Sequence, residues 1–158
     1  MNIELAQKND LSEILALQKL AYQSEATIYN DWNIPPLTQT LAQLQSEFET
    51  KTILKATDGL KIIGSIRDFI QERTGFIERL ITHPDHQHQG IGTALLEALE
   101  ARMTNATRFR LFTGHLSVQN ISFYRKRGYL EFKREPVNEK LIFLWFEKTN
   151  ERKSEPRS

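Results

Sequence analysis

Hydrophobic residues along this chain recur with two spacings, at alternate positions in some segments and at every third or fourth position in others. Alternating or continuous apolar runs bounded by turn residues predict strands. The predicted strands cover residues 2–6, 52–57, 60–69, 76–82, 109–113, 129–133 and 141–146. Helical spacing predicts helices over 11–23, over a segment after Pro36, from Ile91 onward and over 118–127. The resulting order, β-α-α-β-β-β-α-β-α-β-β, indicates an α/β domain with a mixed sheet.

Local signals mark the ends of several of these elements. Asp10 and Glu13 have the spacing of a capping box at the start of the first helix. Pro35-Pro36 interrupts the chain before the second helix. Asp58-Gly59 is typical of a tight hairpin turn, so the strands on either side of it are expected to pair.

Composition sets limits on the class of protein. The 158 residues suffice for one domain with one core, and a net charge of +1 indicates no surface suited to nucleic acid or an acidic membrane. The absence of cysteine excludes disulfides and a covalent cysteine nucleophile. Without a membrane-length apolar run or a signal-peptide core, a cytoplasmic location is expected. We predict that residues 1–147 form the domain and that the polar tail 148–158 is frayed.

The most informative segment is the loop from Gln87 to Gly92, which contains Gly90 and lies between the strand 76–82 and the helix that starts at Ile91. A helix N-terminus offers free N–H groups and a positive dipole end to an anion. Glycine lets a phosphate approach the backbone without meeting a Cβ atom. The loop therefore predicts a ligand that carries phosphate, although a flexible turn before a helix has the same composition.

Two common phosphate-binding loops are excluded. A Walker loop needs Lys followed by Ser or Thr after its second glycine, and no such pair follows Gly92. The dinucleotide fingerprint G-x-G-x-x-G requires a third glycine where this chain has Leu95, and it belongs after the first strand of its domain.

The loop resembles the Q/R-x-x-G-x-G/A acyl-CoA loop of the GNAT family of N-acetyltransferases, with Gln87, Gly90 and Gly92 at the three defining positions. Residues 80–85 are similar to the strand and turn that lead into that loop. Residues 117–129 resemble the family's second signature, a helix with a tyrosine followed by basic residues, a glycine and an aromatic residue. The resemblance covers roughly residues 60–134.

This resemblance implies a fold and a reaction. The fold would be α/β, with a mixed, mostly antiparallel central sheet of about seven strands flanked by about four helices. Acetyl-CoA would be the acyl donor, and a primary amine on a small molecule or peptide would attack its thioester directly in a ternary complex. A non-catalytic acyl-CoA sensor with the same cofactor site is the alternative from another class.

Cofactor contacts are implied in three segments. The backbone of Leu80, Ile81 and Thr82 would bind the pantetheine arm, and an N–H near Ile81 would polarise the thioester carbonyl. Asn120, one helical turn before Tyr124, is a further candidate contact, and an exposed Asn120 on a helix capped by Ser117 is the alternative. The residues expected to hold the pyrophosphate are Gln87, His88, Gln89, Gly90, Ile91, Gly92 and Thr93.

Tyr124 is the side-chain candidate for catalysis, because a tyrosine hydroxyl with an ordinary pKa near 10 can protonate the departing CoA thiolate. Packing of its ring against the sheet is the alternative role. Glu78 is a candidate base, since strand alternation places it on the face of Phe76 and Leu80, where apolar surroundings would raise its pKa. An exposed or salt-bridged Glu78 fits equally well, and His115 is a second candidate base.

The acceptor site is expected to include Tyr22, Glu25, Tyr29 and His115. The three histidines between positions 83 and 88 lack the spacing of a closed metal site, and no metal is predicted. We expect no nucleic-acid or membrane partner, and a homodimer is compatible with the sequence.

Overall fold

The computed structural model describes residues 1–154, which form one seven-stranded sheet in the order β1-β2-β3-β4-β5-β7-β6. The β4–β5 pair is parallel and the other neighbours are antiparallel, which confirms the predicted fold class. The strands are β1 (Asn2–Leu5), β2 (Thr52–Asp58), β3 (Lys61–Gln71), β4 (Thr74–Thr82), β5 (Arg108–Gly114), β6 (Leu130–Pro136) and β7 (Ile142–Thr149).

The helices of the described residues accompany this sheet. They are α1 (Leu11–Ala21), α2 (Gln23–Tyr29), α3 (Pro35–Thr38), α4 (Leu41–Phe48), α5 (Ile91–Arg102), α6 (Val118–Lys126) and α7 (Glu151–Ser154). The continuous helix predicted over 11–23 ends at Ala21, and the chain turns at Tyr22 into α2, which the sequence pattern did not reveal. Within residues 1–154, no helix combines the length and the apolar character needed to cross a membrane.

The predicted capping box at Asp10 and Glu13 is wrong. The carboxylate of Asp10 accepts the Gln7 N–H at 2.7 Å and pairs with Lys55 Nζ at 2.8 Å, while Glu13 accepts the Ile62 N–H at 2.8 Å. Both carboxylates therefore bind groups on β2 and β3, which spacing within one helix does not show.

Apolar residues pack on both faces of the sheet. On one face α5 contributes Leu95, and on the other α1 and α4 contribute Leu11 and Leu44. The neighbouring β3 residues Ile62 and Ile63 belong to opposite clusters, as the alternation of side chains along a strand requires. The central strands of the sheet are thus buried on both faces, whereas β6 at the edge is largely exposed.

The strands β4 and β5 separate after a short contact in the centre of the sheet. Thr74–Phe76 pairs with Arg108–Arg110, and no further β4–β5 pair is formed within the described chain, although β4 continues to Thr82 and β5 to Gly114. The separation leaves the facing edges of the two strands free to line a cavity.

The end of the chain is ordered beyond the predicted domain boundary. Residue 147 lies inside β7, and Asn150 is buried, with its side-chain amide donating to the carbonyls of Met103 at 3.4 Å and Ala106 at 2.8 Å. The predicted fraying therefore does not apply to residues 148–150, and residues 155–158 of the predicted tail lie outside the described residues.

Candidate active site

The loop between β4 and α5 presents free backbone N–H groups. Gly90 precedes α5 with a φ of +81°, which glycine adopts without strain, and no atom lies within 4 Å of the position a Cβ would take. The first hydrogen bond of the helix runs from the Ala94 N–H to the Gly90 carbonyl at 3.0 Å. In the described part of the chain, the N–H groups of Ile91, Gly92 and Thr93 have no acceptor, so they can bind an anion.

Gly92, the second glycine of the loop, lies beside α6. A Cβ added there would lie 3.4 Å from the Phe123 ring, which is an ordinary van der Waals distance. The surroundings of Gly92 therefore do not themselves require glycine, and its role in phosphate binding stays a prediction.

A cavity of about 1190 Å³, called the loop cavity below, adjoins these N–H groups. Lys126 and Arg127 line it, and Arg127 is held by the Phe123 ring, 3.7 Å from its guanidinium carbon, and by the Thr93 hydroxyl, 3.1 Å from its Nε. Basic groups beside free N–H groups suit a ligand with several negative charges. The predicted cofactor residues that line the loop cavity are Leu80, Ile81, Thr82, Gln87, His88, Gly90, Ile91, Gly92, Thr93, Asn120 and Tyr124, whereas Gln89 is exposed and outside its wall.

A second cavity of about 250 Å³, called the strand cavity below, occupies the gap between β4 and β5. Much of its wall is apolar or aromatic, with Pro36, Phe112 and Phe143 among its residues. The residues common to the walls of both cavities are Tyr22, Glu25, Leu80, Asn120 and Tyr124. The two cavities therefore adjoin each other at these five residues.

Tyr124 is buried at this shared wall. Burial raises the pKa of its hydroxyl well above the ordinary value, and the neighbouring Tyr22 and Glu25 raise it further. Its ring packs edge-on against Phe123 and Tyr129, and no hydrogen bond to its hydroxyl is formed among residues 1–154. The expectation of an ordinary pKa near 10 for Tyr124 is therefore wrong, because the hydroxyl is buried. It stays protonated and is free to donate to a ligand.

A chain of hydrogen bonds joins α2 to the start of α6. The Leu116 N–H donates to the Tyr29 hydroxyl at 3.0 Å, and the Ser117 hydroxyl donates to Glu25 at 2.6 Å. Because Ser117 donates its hydroxyl proton to Glu25, the Tyr29 hydroxyl is the donor in its 2.7 Å hydrogen bond with Ser117. Asn120 donates to the other oxygen of Glu25 at 3.1 Å, so the structure brings the predicted residues Glu25, Tyr29 and Asn120 together.

Of the environments expected for Glu78, the structure has the salt-bridged one and not the apolar one. Lys51, between α4 and β2, lies with Nζ 2.6 Å from Glu78 Oε1, which makes Glu78 part of an ion pair at the wall of the strand cavity. The other oxygen, Oε2, has no hydrogen-bond partner within the described residues. Alternation along β4 could not decide between the two environments, because it does not show which side chains other segments bring to that face.

His115 lies outside both cavity walls. Its Nδ1 accepts the Ile142 N–H at 3.0 Å, and its backbone N–H donates to the Ile142 carbonyl at 2.9 Å, so the residue extends the pairing of β5 with β7. This hydrogen bond occupies Nδ1, so the geometry does not support His115 as the base.

Arg79 is a residue of the strand cavity that the sequence analysis missed. It follows Glu78 directly, and two charged residues in succession within a buried strand are a sign of interrupted alternation.

Among the three histidines before the loop, His83 accepts the Asp85 N–H on its Nδ1 at 3.1 Å. No group of three His, Asp or Glu side chains in residues 1–154 is placed to bind a metal.

Comparisons with known proteins agree with this geometry. The sequence model of the acetyltransferase (GNAT) family matches residues 11–129. The UPF0157 protein YqkA of Bacillus subtilis is 30% identical over 117 residues, which are 74% of this chain and 34% of YqkA, so the chain spans about a third of that relative.

Two solved structures share the fold. The smu.2055 protein of Streptococcus mutans UA159 has a TM-score of 0.82 at 15% identity, over 95% of this chain and 99% of that one. The PaiA N-acetyltransferase of Thermoplasma acidophilum, in complex with coenzyme A, has a TM-score of 0.75 at 22% identity, over 94% and 99%. The family match covers most of the chain, and the chain belongs to the acetyltransferase (GNAT) family.

Proposed function

We propose that this chain transfers an acetyl group from acetyl-CoA to a primary amine by direct attack in a ternary complex. The observation that carries the proposal is the meeting of the loop cavity and the strand cavity at one shared wall in the gap between β4 and β5. The name and bound coenzyme A of the PaiA structure support the same assignment.

The loop cavity is suited to the cofactor. The free N–H groups at the start of α5 and the basic side chains of Lys126 and Arg127 would hold the pyrophosphate. The part of β4 that is not paired with β5 includes Ile81. Its backbone would bind the pantetheine arm and place the thioester at the shared wall. An N–H donor at that position would stabilise the oxyanion of the tetrahedral intermediate.

The acceptor amine would enter from the strand cavity. Its nitrogen attacks the thioester carbon and forms a C–N bond, and the intermediate then collapses with cleavage of the C–S bond. The leaving sulfur takes the proton of the Tyr124 hydroxyl, and the phenolate regains a proton from solvent. The proton lost by the attacking amine goes to a base.

We propose Glu78 as that base, acting through water. Glu78 lies in the wall of the strand cavity. Its Oε1 accepts a hydrogen bond from Lys51, while its Oε2 has no hydrogen-bond partner among the described residues.

The proposal is tested by measuring CoA release from acetyl-CoA with a panel of primary amines, after binding of acetyl-CoA has been established. We expect saturable, amine-dependent release that produces the acetylated amine in equal amount. Tight cofactor binding without release from any amine would overturn the enzymatic assignment and identify the chain as a sensor of acyl-CoA.

A further inference from the structure

We propose that Arg79 selects acceptors in which the reactive amine is accompanied by a carboxylate, so that the acceptors are amino acids or closely similar small molecules. The inference rests on the proposed function and specifies the class of acceptor for the same site. It is carried by a half-buried arginine in the wall of the strand cavity, whose buried Nε has no hydrogen-bond partner and which forms no ion pair within residues 1–154.

A bulge in β4 places Arg79 in the wall of the strand cavity. Arg67 pairs with Glu78, and Ser65 pairs with Ile81, so a single β3 residue between them faces both Arg79 and Leu80. Arg79 has a φ of +52°, in the left-handed region that side chains other than glycine rarely adopt. A bulge redirects a side chain, and a strained backbone is retained where the rest of the structure imposes it.

The side chain of Arg79 is hydrogen-bonded to the Tyr22 side chain, but no carboxylate of the described residues compensates its charge. Its Nε is buried and has no hydrogen-bond partner. Its guanidinium carbon lies 6.0 Å from the centre of the Tyr22 ring, and no carboxylate of residues 1–154 forms an ion pair with it. The adjacent Glu78 is paired with Lys51 instead. A buried donor on a cation is costly unless an acceptor from outside the chain completes it.

The paired charges beside Arg79 balance one another without it. Arg67 is fully buried and is bound by Glu47 at 2.8 Å, and burial lowers its pKa, with the nearby charge of Arg79 lowering it further. Lys51 pairs with both Glu47 and Glu78, so these two carboxylates match the two cations Arg67 and Lys51. A carboxylate beside Arg79 would therefore offset positive charge that the protein itself leaves uncompensated.

The remainder of the strand cavity fits the same class of acceptor. Glu25, at the shared wall near Tyr124, offers negative charge on the side where the amine must meet the thioester, whereas Arg79 lies in the wall of the strand cavity alone. The volume of about 250 Å³ is below the range of roughly 300–1,000 Å³ usual for pockets that hold drug-sized ligands. An acceptor of amino-acid size, with an apolar side chain against Phe112 and Phe143, matches this space and polarity.

The test compares amino acids with their carboxamides, which keep the amine and the side chain and lose only the negative charge. With leucine and leucinamide, phenylalanine and phenylalaninamide, kcat/KM should be higher for the carboxylate by about 10- to 100-fold, the range of a hydrogen bond to a charged group. Because ordinary amines are assayed alongside, turnover of any amine confirms the transferase activity independently of this preference. The same compounds are titrated calorimetrically into the CoA-bound protein, so a preference is measurable as binding even without turnover.

Two variants identify the residue responsible. Arg79→Gln should reduce the ratio of carboxylate to carboxamide toward one, and Arg79→Lys should retain part of it because it keeps the charge but loses the forked donor. Arg110→Gln is the matched control and should leave the ratio unchanged. It removes an arginine of β5 that pairs with Glu147 and lies in neither cavity wall. Equal kcat/KM and equal affinity for acids and amides in the wild-type protein would overturn the inference, as would a preference that persists in Arg79→Gln.

Discussion

The hydroxyl of Tyr29 lies 2.7 Å from the Oγ of Ser117, a residue 88 positions further along the chain. This contact joins α2 to the start of α6. Through Ser117 it also fixes Glu25, which forms part of the wall that the cavities share. The shape of this shared wall thus depends on a chain of hydrogen bonds between segments distant in sequence.

Gly114 makes room for this contact, because a Cβ added there would lie 1.9 Å from the Tyr29 hydroxyl and 2.6 Å from its ring. We expect Gly114→Ala to displace Tyr29 and to lower the free energy of unfolding by about 1–3 kcal/mol, the usual cost of overpacking. Urea unfolding measures the effect. In a Tyr29→Ala background the same substitution should cost less. Equal costs in both backgrounds would contradict this account.

Tyr124→Phe should leave the affinity for acetyl-CoA nearly unchanged and reduce kcat by roughly 10²- to 10⁴-fold, the usual effect of losing a general acid. Because burial raises the pKa of Tyr124, the wild-type kcat should show no decline from loss of this proton up to about pH 10, the ordinary value for tyrosine. Calorimetric titration and pH-dependent steady-state kinetics measure the two effects. A parallel loss of binding and turnover would instead make Tyr124 a cofactor contact.

If Glu78 accepts the amine proton, kcat/KM should rise with pH along a limb that Glu78→Gln flattens. His115→Ala is the control and should leave the limb in place, because its Nδ1 is occupied by the Ile142 N–H. Acceptors of different pKa must be compared, since the amine itself also produces such a limb. A limb that follows the acceptor pKa and ignores Glu78→Gln would show that solvent supplies the free amine.

Asp68 on β3 makes stability depend on pH. Burial raises the pKa of its carboxyl to about 6, against a value of 3.8 without burial. Both folded and unfolded chains are protonated below 3.8, so the associated stability is complete there and is lost as pH rises through about 6. Relative to Asp68→Asn, the wild-type free energy of unfolding should fall by up to about 3 kcal/mol across this interval. Chemical unfolding at several pH values measures the difference, and parallel curves for the two proteins would contradict it.

The sequence predicted features that depend on local spacing. The hairpin at Asp58-Gly59, the strand before the loop and the glycine start of α5 are each encoded within a few neighbouring residues. The family signatures are also local, which is why the candidate cofactor wall could be named almost residue by residue.

The features that were missed depend on contacts between distant segments. The ion pair of Glu78 was one of two alternatives, and only the position of Lys51 decides between them, while Glu13 accepts the Ile62 N–H from β3. The bulge at Arg79 arises from the register of β3 against β4, which no pattern within one strand specifies. The general base and the acceptor side of the site were accordingly the least predictable parts.

The central claim is that the loop at Gly90 binds the phosphates of acetyl-CoA, and calorimetric titration with acetyl-CoA tests it most directly. Gly59 provides a matched control, since Gly59 and Gly90 both have positive φ, +62° and +81°, and both would direct a Cβ into open space. Gly59→Val and Gly90→Val should therefore strain the backbone alike. We predict that the wild-type protein and Gly59→Val bind acetyl-CoA and are stabilised by it against heat, whereas folded Gly90→Val is not. Absence of binding to the wild-type protein at millimolar acetyl-CoA, or equal binding by the two variants, would contradict the account.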